Sequence, residues 1–306
     1  MLSRAAVNAL PKDLAVRKQL ELTLGCDRAG KTVLQSRYMA YPLSVSPLFR
    51  RESNGTDPAR EQRAYLYRMN TSPGLLAGDE LGMSVKLAAG SSLTLLDQAA
   101  TKVHQMPDGA IATVDYEIAV GDRATLEFLP EPLILFADSK LKQTTQIILH
   151  PNAGLSWGEI ILPGRLARGE CYQFQECFSR TEIKSPDGNI LFVEAMKLLG
   201  KENRFWQNDL FASEFVIGTL ILILPVEIAT KDRLAMLSRQ IEALSLEKVS
   251  VELACSVLSG GRGSPGERGI FVRAIASTSR DLQFCFKSAV NCVRELRQQF
   301  PLPYSL

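Results

Sequence analysis

Apolar and polar residues alternate along much of this chain with a period of two, as expected for strands with one dry and one wet face. Leu20, Leu22 and Leu24 alternate with Glu21 and Thr23, and Cys26 to Gly30 forms a turn. Thr32 onward can then return as the second arm of a hairpin. Tyr65 to Met69 predicts another strand, closed by the turn Asn70-Thr71-Ser72-Pro73-Gly74. From Val85 to Gly169 the alternation itself repeats. Gly90, Gly121 and Asn152 open three copies of one pattern, 31 residues apart. Val85, Tyr116 and Ile147 precede them, followed by Leu87, Ile118 and Leu149. Beyond the turns, Leu93/Ala124/Leu155 and Leu95/Leu126/Trp157 share one face, with Thr94, Thr125 and Ser156 on the other. A strand, a turn and a strand at a fixed spacing predict stacked coils: a short β-solenoid or layered β-sheets.

Tyr172 to Lys184 and Ile190 to Leu198 predict two strands joined by Ser185-Pro186-Asp187-Gly188, a strong hairpin signal. The apolar run Phe215 to Val226 is too short to cross a bilayer and fits a buried strand. Val249 to Leu258 and Ile270 to Ala276 also read as strands, while Ser53 to Glu61 and Gly260 to Gly269 read as loops. A helical period appears only late. Leu234, Leu237, Ile241 and Leu244 mark one amphipathic helix over Lys231 to Leu246. Leu282, Phe286, Val290, Val293 and Leu296 mark a second over Asp281 to Phe300, with Ser279 as N-cap and Pro301 as stop. The predicted fold class is therefore mainly β, with a 31-residue repeat and two C-terminal α-helices. Residues 1–19 form an N-terminal extension and residues 20–306 a single domain, since no stretch reads as a boundary between independent units.

Composition narrows the function classes. The chain of 306 residues is 46% hydrophobic and 22% charged, as in ordinary soluble proteins. A net charge of +2 gives no reason to expect nucleic acid or a membrane as partner. The six cysteines form no C-x-x-C pair, which argues against a zinc ribbon. Without a signal-peptide apolar core in Met1 to Lys18, they read as reduced thiols in a cytoplasmic protein. Gly25 to Thr32 matches the phosphate-loop string G-x-x-x-x-G-K-T, and Leu133 to Asp138 resembles a strand ending in a magnesium-binding aspartate. A phosphate loop needs a buried parallel strand before it and a helix after it. Here the strand alternates and Pro42 leaves little room for a helix, so the match reads as a hairpin turn. Gly261-x-Gly263-x-x-Gly266 matches a dinucleotide string, but Pro265 inside it argues for a loop.

The candidate chemistry lies in polar groups set into apolar strands, which need partners or water. Asp79, Asp97, Glu127, Asp138, Glu159 and Glu170 are carboxylates within or beside the repeats, and Thr101, Lys102 and His104 follow the first copy. Asp97 and Glu159 hold the same repeat position, which would place Phe128 in the layer between them. One reading is structural pairing with Lys102, Arg165 and Arg168. The other is a wet acidic path that draws a divalent cation without trapping it, since a closed four-ligand site would hold it too tightly. With only His104 and His150, a His-rich metal centre is excluded.

Five segments in series resemble the urease accessory protein family UreD, also called UreH. They are Ser72-Pro73-Gly74-Leu75-Leu76-Ala77-Gly78-Asp79; Gln98-Ala99-Ala100-Thr101-Lys102-Val103; Leu126-Glu127-Phe128-Leu129-Pro130-Glu131-Pro132; Ile134-Leu135-Phe136; and Trp157-Gly158-Glu159-Ile160 with Gly164-Arg165 and Arg168-Gly169-Glu170. The resemblance implies a largely β, solenoid-like, non-enzymatic protein. It would bind the urease apoprotein and the accessory proteins called F and G, and assist nickel delivery through water-filled internal passages. Nickel would then be a transient cargo, with no permanently bound cofactor. The residues Asp79, Asp97, Thr101, Lys102, His104, Glu127, Asp138, Glu159 and Glu170 are the candidates for the nickel path or partner contacts. Ser72-Pro73-Gly74 stands where the family usually has a Gly pair, and His104 where it has an aromatic residue. The competing class is a solenoid-fold hydrolase or lyase with acidic residues on its repeat face.

Overall fold

The computed structural model describes residues 18–50, 63–202, 216–247, 251–259 and 267–302. The N-terminal extension, apart from its last two residues, the Ser53–Glu61 loop and the Gly261–Gly266 string lie outside the described residues.

The three copies become three coils. Each runs up one sheet, turns, and returns down a second: β5 (Glu80–Leu87) into β6 (Ser92–Gln98), β8 (Ala112–Val120) into β9 (Thr125–Leu129), and β11 (Lys140–Leu149) into β12 (Gly154–Leu162). Equivalent strands pair in parallel. Earlier strands add to the stack: β1 (Lys18–Cys26) lies parallel to β5, and β4 (Ala64–Asn70) parallel to β6. β3 (Leu43–Val45) pairs antiparallel with β4. The protein is a β-solenoid of about 4 turns.

The register corrects the simple 31-residue step. β6 to β9 aligns Leu93 with Leu126, and β9 to β12 aligns Leu126 with Leu155, giving steps of 33 and then 29 residues. Both differ from 31 by two, so each side chain keeps its face although its level shifts. Phe128 therefore aligns with Leu95 and Trp157 and does not fall level with Asp97 and Glu159.

Antiparallel strands close both sheets. β2 (Thr32–Met39) folds back on β1, and β13 (Glu176–Lys184) carries β14 (Ile190–Leu199) through the expected hairpin. The first sheet has the order β14-β13-β11-β8-β5-β1-β2. β13 begins four residues later than Tyr172, where a positive φ of 54° turns the chain. The second sheet extends past β12 through β15 (Val216–Ile223), β17 (Glu267–Ala276) and β16 (Val251–Ser259). Glu267 to Gly269, expected in a loop, belongs to β17.

Two cores hold these layers together. Leu20, Leu22, Leu24, Val85, Leu95, Leu126 and Ile147 meet between the sheets. The second core lies outside the second sheet, beneath α1 (Lys231–Ala243) and the C-terminal α2 (Ser279–Leu296). Leu234, Leu237 and Ile241 of α1, and Leu282, Phe286, Val290 and Val293 of α2, are buried there. Each fully buried residue of this kind contributes about 1.5–3 kcal/mol. The N-cap of α2 is Thr278, one residue before the expected Ser279, and its hydroxyl accepts from the Asp281 amide at 3.2 Å. α2 ends at Leu296, short of Pro301, and the tail folds back so that the Leu302 amide donates to Asn291 at 2.6 Å.

The phosphate-loop string is the β1–β2 turn. Asp27 accepts from the amides of Ala29 at 2.8 Å and Lys31 at 2.9 Å, and β2 follows directly. A strand after the turn offers no helix N-terminus for phosphate. Lys31→Ala should leave the melting temperature unchanged, and neither wild type nor variant should retain ATP or GTP in equilibrium dialysis. Nucleotide retained by the wild type and lost in the variant would overturn this reading.

Candidate functional site: a window through the second sheet

The middle coil breaks the ladder of the second sheet. β9 pairs with β12 as far as Phe128 and Trp157, and pairing resumes only at Leu133 with Ile161, in β10 (Leu133–Leu135). On the other side β9 follows β6 to Leu96 and Leu129, and β10 then joins β7 (Thr101–Val103). Between β9 and β10 stand Pro130, Glu131 and Pro132. Proline has no N–H to donate, so a Pro-x-Pro segment cannot continue a central ladder. The result is a window bounded by Asp97, by Pro130 to Pro132, and by Gly158 to Ile160.

A chamber lies on each side of the window. The inner one, between the sheets, measures about 50 Å³ and is lined by Arg68, Tyr116, Phe128, Gln143 and Trp157 among others. The outer one, between the second sheet and α2, measures about 40 Å³ and is lined by Tyr67, Leu129, Gln283, Phe286 and Lys287. Asp97, Glu131, Gly158 and Glu159 line both. A single water needs roughly 10–15 Å³ of such space, so each chamber has room for water. Gly158 keeps the opening clear. A first side-chain carbon there would meet Leu129 and Leu220 at 3.6 and 3.7 Å, which is ordinary contact, and anything longer would enter the outer chamber.

Three carboxylates stand at the window. Glu131 accepts from Gln283 of α2 at 2.9 Å, and the other two differ in kind. Arg68 grips Asp97 through two bonds of 2.6 and 2.7 Å and also donates to the Tyr116 hydroxyl at 2.9 Å. Its guanidinium lies 5.3 Å from the ring centres of both Tyr116 and Phe128. Burial pushes the Asp97 carboxyl up, and Arg68 opposes that shift. Asp97 is thus a neutralised wall. Glu159 accepts from Ser179 at 3.0 Å and from Gln143, both uncharged. Burial pushes its carboxyl up to about 7, with Glu194 adding to the rise and the two hydrogen bonds opposing it. Among the described residues it has no cationic partner at salt-bridge distance. A carboxylate of this kind, reached from two chambers, can take up a proton or a passing cation near neutral pH.

The structure divides the nine candidate residues. Asp97, Thr101 and Glu159 line the inner chamber. Glu127 lies on the opposite face of the second sheet, where Arg294 and Thr94 bond it and Arg63 stands 3.2 Å away. Asp79 caps a turn by accepting from the Leu76 amide at 2.7 Å. His104 contacts the Pro73 carbonyl at 3.1 Å and packs on Phe136. Asp138 adopts a positive φ of 59° and pairs with Lys201. Glu170 accepts from Arg165 at 2.8 Å and from the Ala137 amide at 2.6 Å. The Lys102 side chain is exposed and is not among the residues that line either chamber. A catalytic pair of Glu127 with Asp97 or Glu159 on one repeat face is therefore ruled out by the alternation of faces. Among the described residues, no three His, Cys, Asp or Glu side chains are grouped to hold a metal.

Sequence reasoning missed Arg68, Tyr116 and Gln143. Arg68 carried a usable signal, a lone cation in the apolar run Tyr65 to Met69.

This architecture defines a class: a solenoid scaffold whose polar chemistry lies inside the stack, at a window through one sheet. Among the described residues, no helix is long and apolar enough to cross a membrane. The family model "UreD urease accessory protein" matches residues 17–304. A Trichodesmium erythraeum protein named urease accessory protein UreD is 43% identical over 286 residues, covering 93% of this chain and 97% of the relative. A protein of that name from Actinobacillus pleuropneumoniae serotype 5b is 30% identical over 274 residues, covering 89% and 95%. One from Lysinibacillus sphaericus is 33% identical over 199 residues, covering 65% and 71%. The chain belongs to the UreD family of urease accessory proteins.

Proposed function

We propose that this protein is a non-catalytic, cytoplasmic scaffold that binds the urease apoprotein and the accessory proteins F and G, and that nickel reaches urease by way of its interior. The observation that carries this reading is the window, where the buried Glu159 has, among the described residues, no cationic partner at salt-bridge distance. Nickel is the cargo. Glu159 offers it one carboxylate oxygen set, Gln143 and Ser179 orient that group, and Arg68 neutralises Asp97 so that Asp97 does not join Glu159 in closing a trap. Sparse ligation lets an ion leave, whereas a closed shell would retain it.

The test is urease activation in nickel-supplied cells whose urease genes lack only the D component, complemented with this chain and its cognate F, G and urease. Wild type should restore activity and co-purify with urease. Gly158→Leu fills the outer chamber. It should still co-purify, at a packing cost of about 1–3 kcal/mol, but the purified urease should carry little nickel. Full nickel loading by Gly158→Leu would overturn the interior route, and failure of the wild type would overturn the accessory role.

A further inference from the structure

Beyond the inner chamber a row of polar residues continues from Glu159. Along the inner face of the second sheet, Glu159 on β12 is aligned with Thr219 on β15, Thr219 with Arg273 on β17, and Arg273 with Ala254 on the edge strand β16. Facing this row from the first sheet are Gln143 and Thr145 of β11, Ser179 and Thr181 of β13, and Glu194 of β14. Thr145 aligns with Thr181, and Thr181 with Glu194. A polar layer thus crosses the sandwich between two apolar ones. Ser179 bonds Glu159 at one end of it, and Arg273 pairs with Glu194 at the other. Thr145 is 1% exposed, and among the described residues its hydroxyl has no hydrogen-bond partner. A buried hydroxyl left open in this way marks the layer as a place for water or a passing ligand.

The layer ends at a groove of about 480 Å³ between the edge strands β14 and β16, lined by Met196, Lys197, Thr219, Glu252, Ala254 and Arg273. Arg273 stands where the polar layer meets the groove. Its side chain is 53% exposed, whereas that of its partner Glu194 is 15% exposed. The guanidinium rests 5.3 Å from the Phe271 ring centre, and Phe192 of β14 backs that ring at 5.3 Å. The arrangement is a half-exposed cation, free to swing into solvent, laid over a sheltered carboxylate. An exposed pair of this kind is held by about 1 kcal/mol or less.

We propose that this groove is the second mouth of the interior passage and that Arg273 is its latch, displaced when a divalent cation takes its place on Glu194. The inference rests on the passage reading above. The path then has two openings, one at the window beneath α2 and one between β14 and β16, with Glu159 between them. Glu194 is a stop that the ion must compete for, and the ion next meets Glu159.

Two experiments on the full chain test this. In the first, Ni²⁺ binding is measured by equilibrium dialysis for wild type, Arg273→Gln and Arg273→Gln/Glu194→Gln. Freeing Glu194 should tighten binding by about three- to fivefold, the worth of an exposed ion pair, and the double variant should lose that gain. No gain in Arg273→Gln, or a gain that survives Glu194→Gln, overturns the latch. In the second, Ala254→Trp is placed in the activation assay beside Gly158→Leu. Ala254 is exposed, and the indole would fill the groove in front of Arg273 without entering the core. The expected result is urease that co-purifies with Ala254→Trp but carries little nickel. Normal loading with Ala254→Trp but not with Gly158→Leu would overturn the second mouth and leave the passage standing. Normal loading with both would overturn the passage itself. Loss of co-purification with Ala254→Trp would make the groove a partner's seat and overturn the mouth.

Discussion

Glu127→Ala is expected to lower the melting temperature by roughly 5–8 °C, the counterpart of about 3–5 kcal/mol in a chain of this size. Glu127 and Arg294 are each 2% exposed, and Arg63 is 7% exposed. Arg294 donates to both oxygens of Glu127, to Thr94 at 2.9 Å, to the Tyr65 hydroxyl at 3.3 Å and to the Phe300 carbonyl at 2.9 Å. This one cluster ties α2 and the chain's tail to β4, β6 and β9. Removing the carboxylate leaves two buried guanidinium groups facing each other with no anion. Arg63 is already lowered to about 10 by burial, even with Glu127 beside it. Glu127→Ala/Arg294→Met should recover part of the loss, because it removes the orphaned charge along with its partner. If the single variant melts like wild type, the cluster carries no stability.

The same cluster sets acid sensitivity. Burial alone would raise the Glu127 carboxyl, but Arg63 and Arg294 outweigh it and hold it at about 2, below its ordinary 4.5. A carboxyl depressed in the fold stabilises at pH above its unfolded value. That contribution, about 3 kcal/mol, is lost as pH falls from about 4.5 through 2. Glu127→Gln should accordingly flatten the stability profile over that range, as read by thermal melts in a pH series.

Glu159→Gln should behave in the opposite way. The folded Glu159 titrates at about 7 against an ordinary 4.5, so the native state holds its proton more tightly than the unfolded chain. Stability therefore falls as pH rises from about 4.5 to 7 and is then level. Glutamine keeps the shape without the charge. The variant should match wild type near pH 4 and exceed it at pH 8 by about 1–3 kcal/mol. In the activation assay it should load urease with nickel poorly. Greater stability combined with loss of activity distinguishes a group kept for function from one kept for folding. A Glu159→Gln variant that is destabilised at pH 8, or that loads nickel normally, would remove Glu159 from the passage.

Much of the scaffold was written locally. The alternation at Leu20, Leu22 and Leu24, the three turns at Gly90, Gly121 and Asn152, and the Ser185 to Gly188 hairpin need only near neighbours to be read. So do the two amphipathic helices, whose apolar stripes point to a core whatever that core turns out to be. The carboxylates were visible as residues out of place in apolar strands. What each one does was not visible, because it depends on partners far away in sequence. Glu127 meets Arg294 across 167 residues, and Arg68 meets Tyr116 across 48.

By itself, the sequence determined that the chain is a stack of β coils with helices late in the order, that it belongs among the UreD proteins by its motif series, and that its polar strand residues need an explanation. Only the tertiary structure decided the register, with steps of 33 and 29 residues where sequence spacing shows 31. It alone opened the window at Pro130 to Pro132, put Glu127 and Glu159 on opposite faces, and gave one two cationic partners and the other, among the described residues, none. The physical reason is that faces and turns follow from local geometry, while the charge state of a buried group follows from whatever the fold brings within a few ångströms of it.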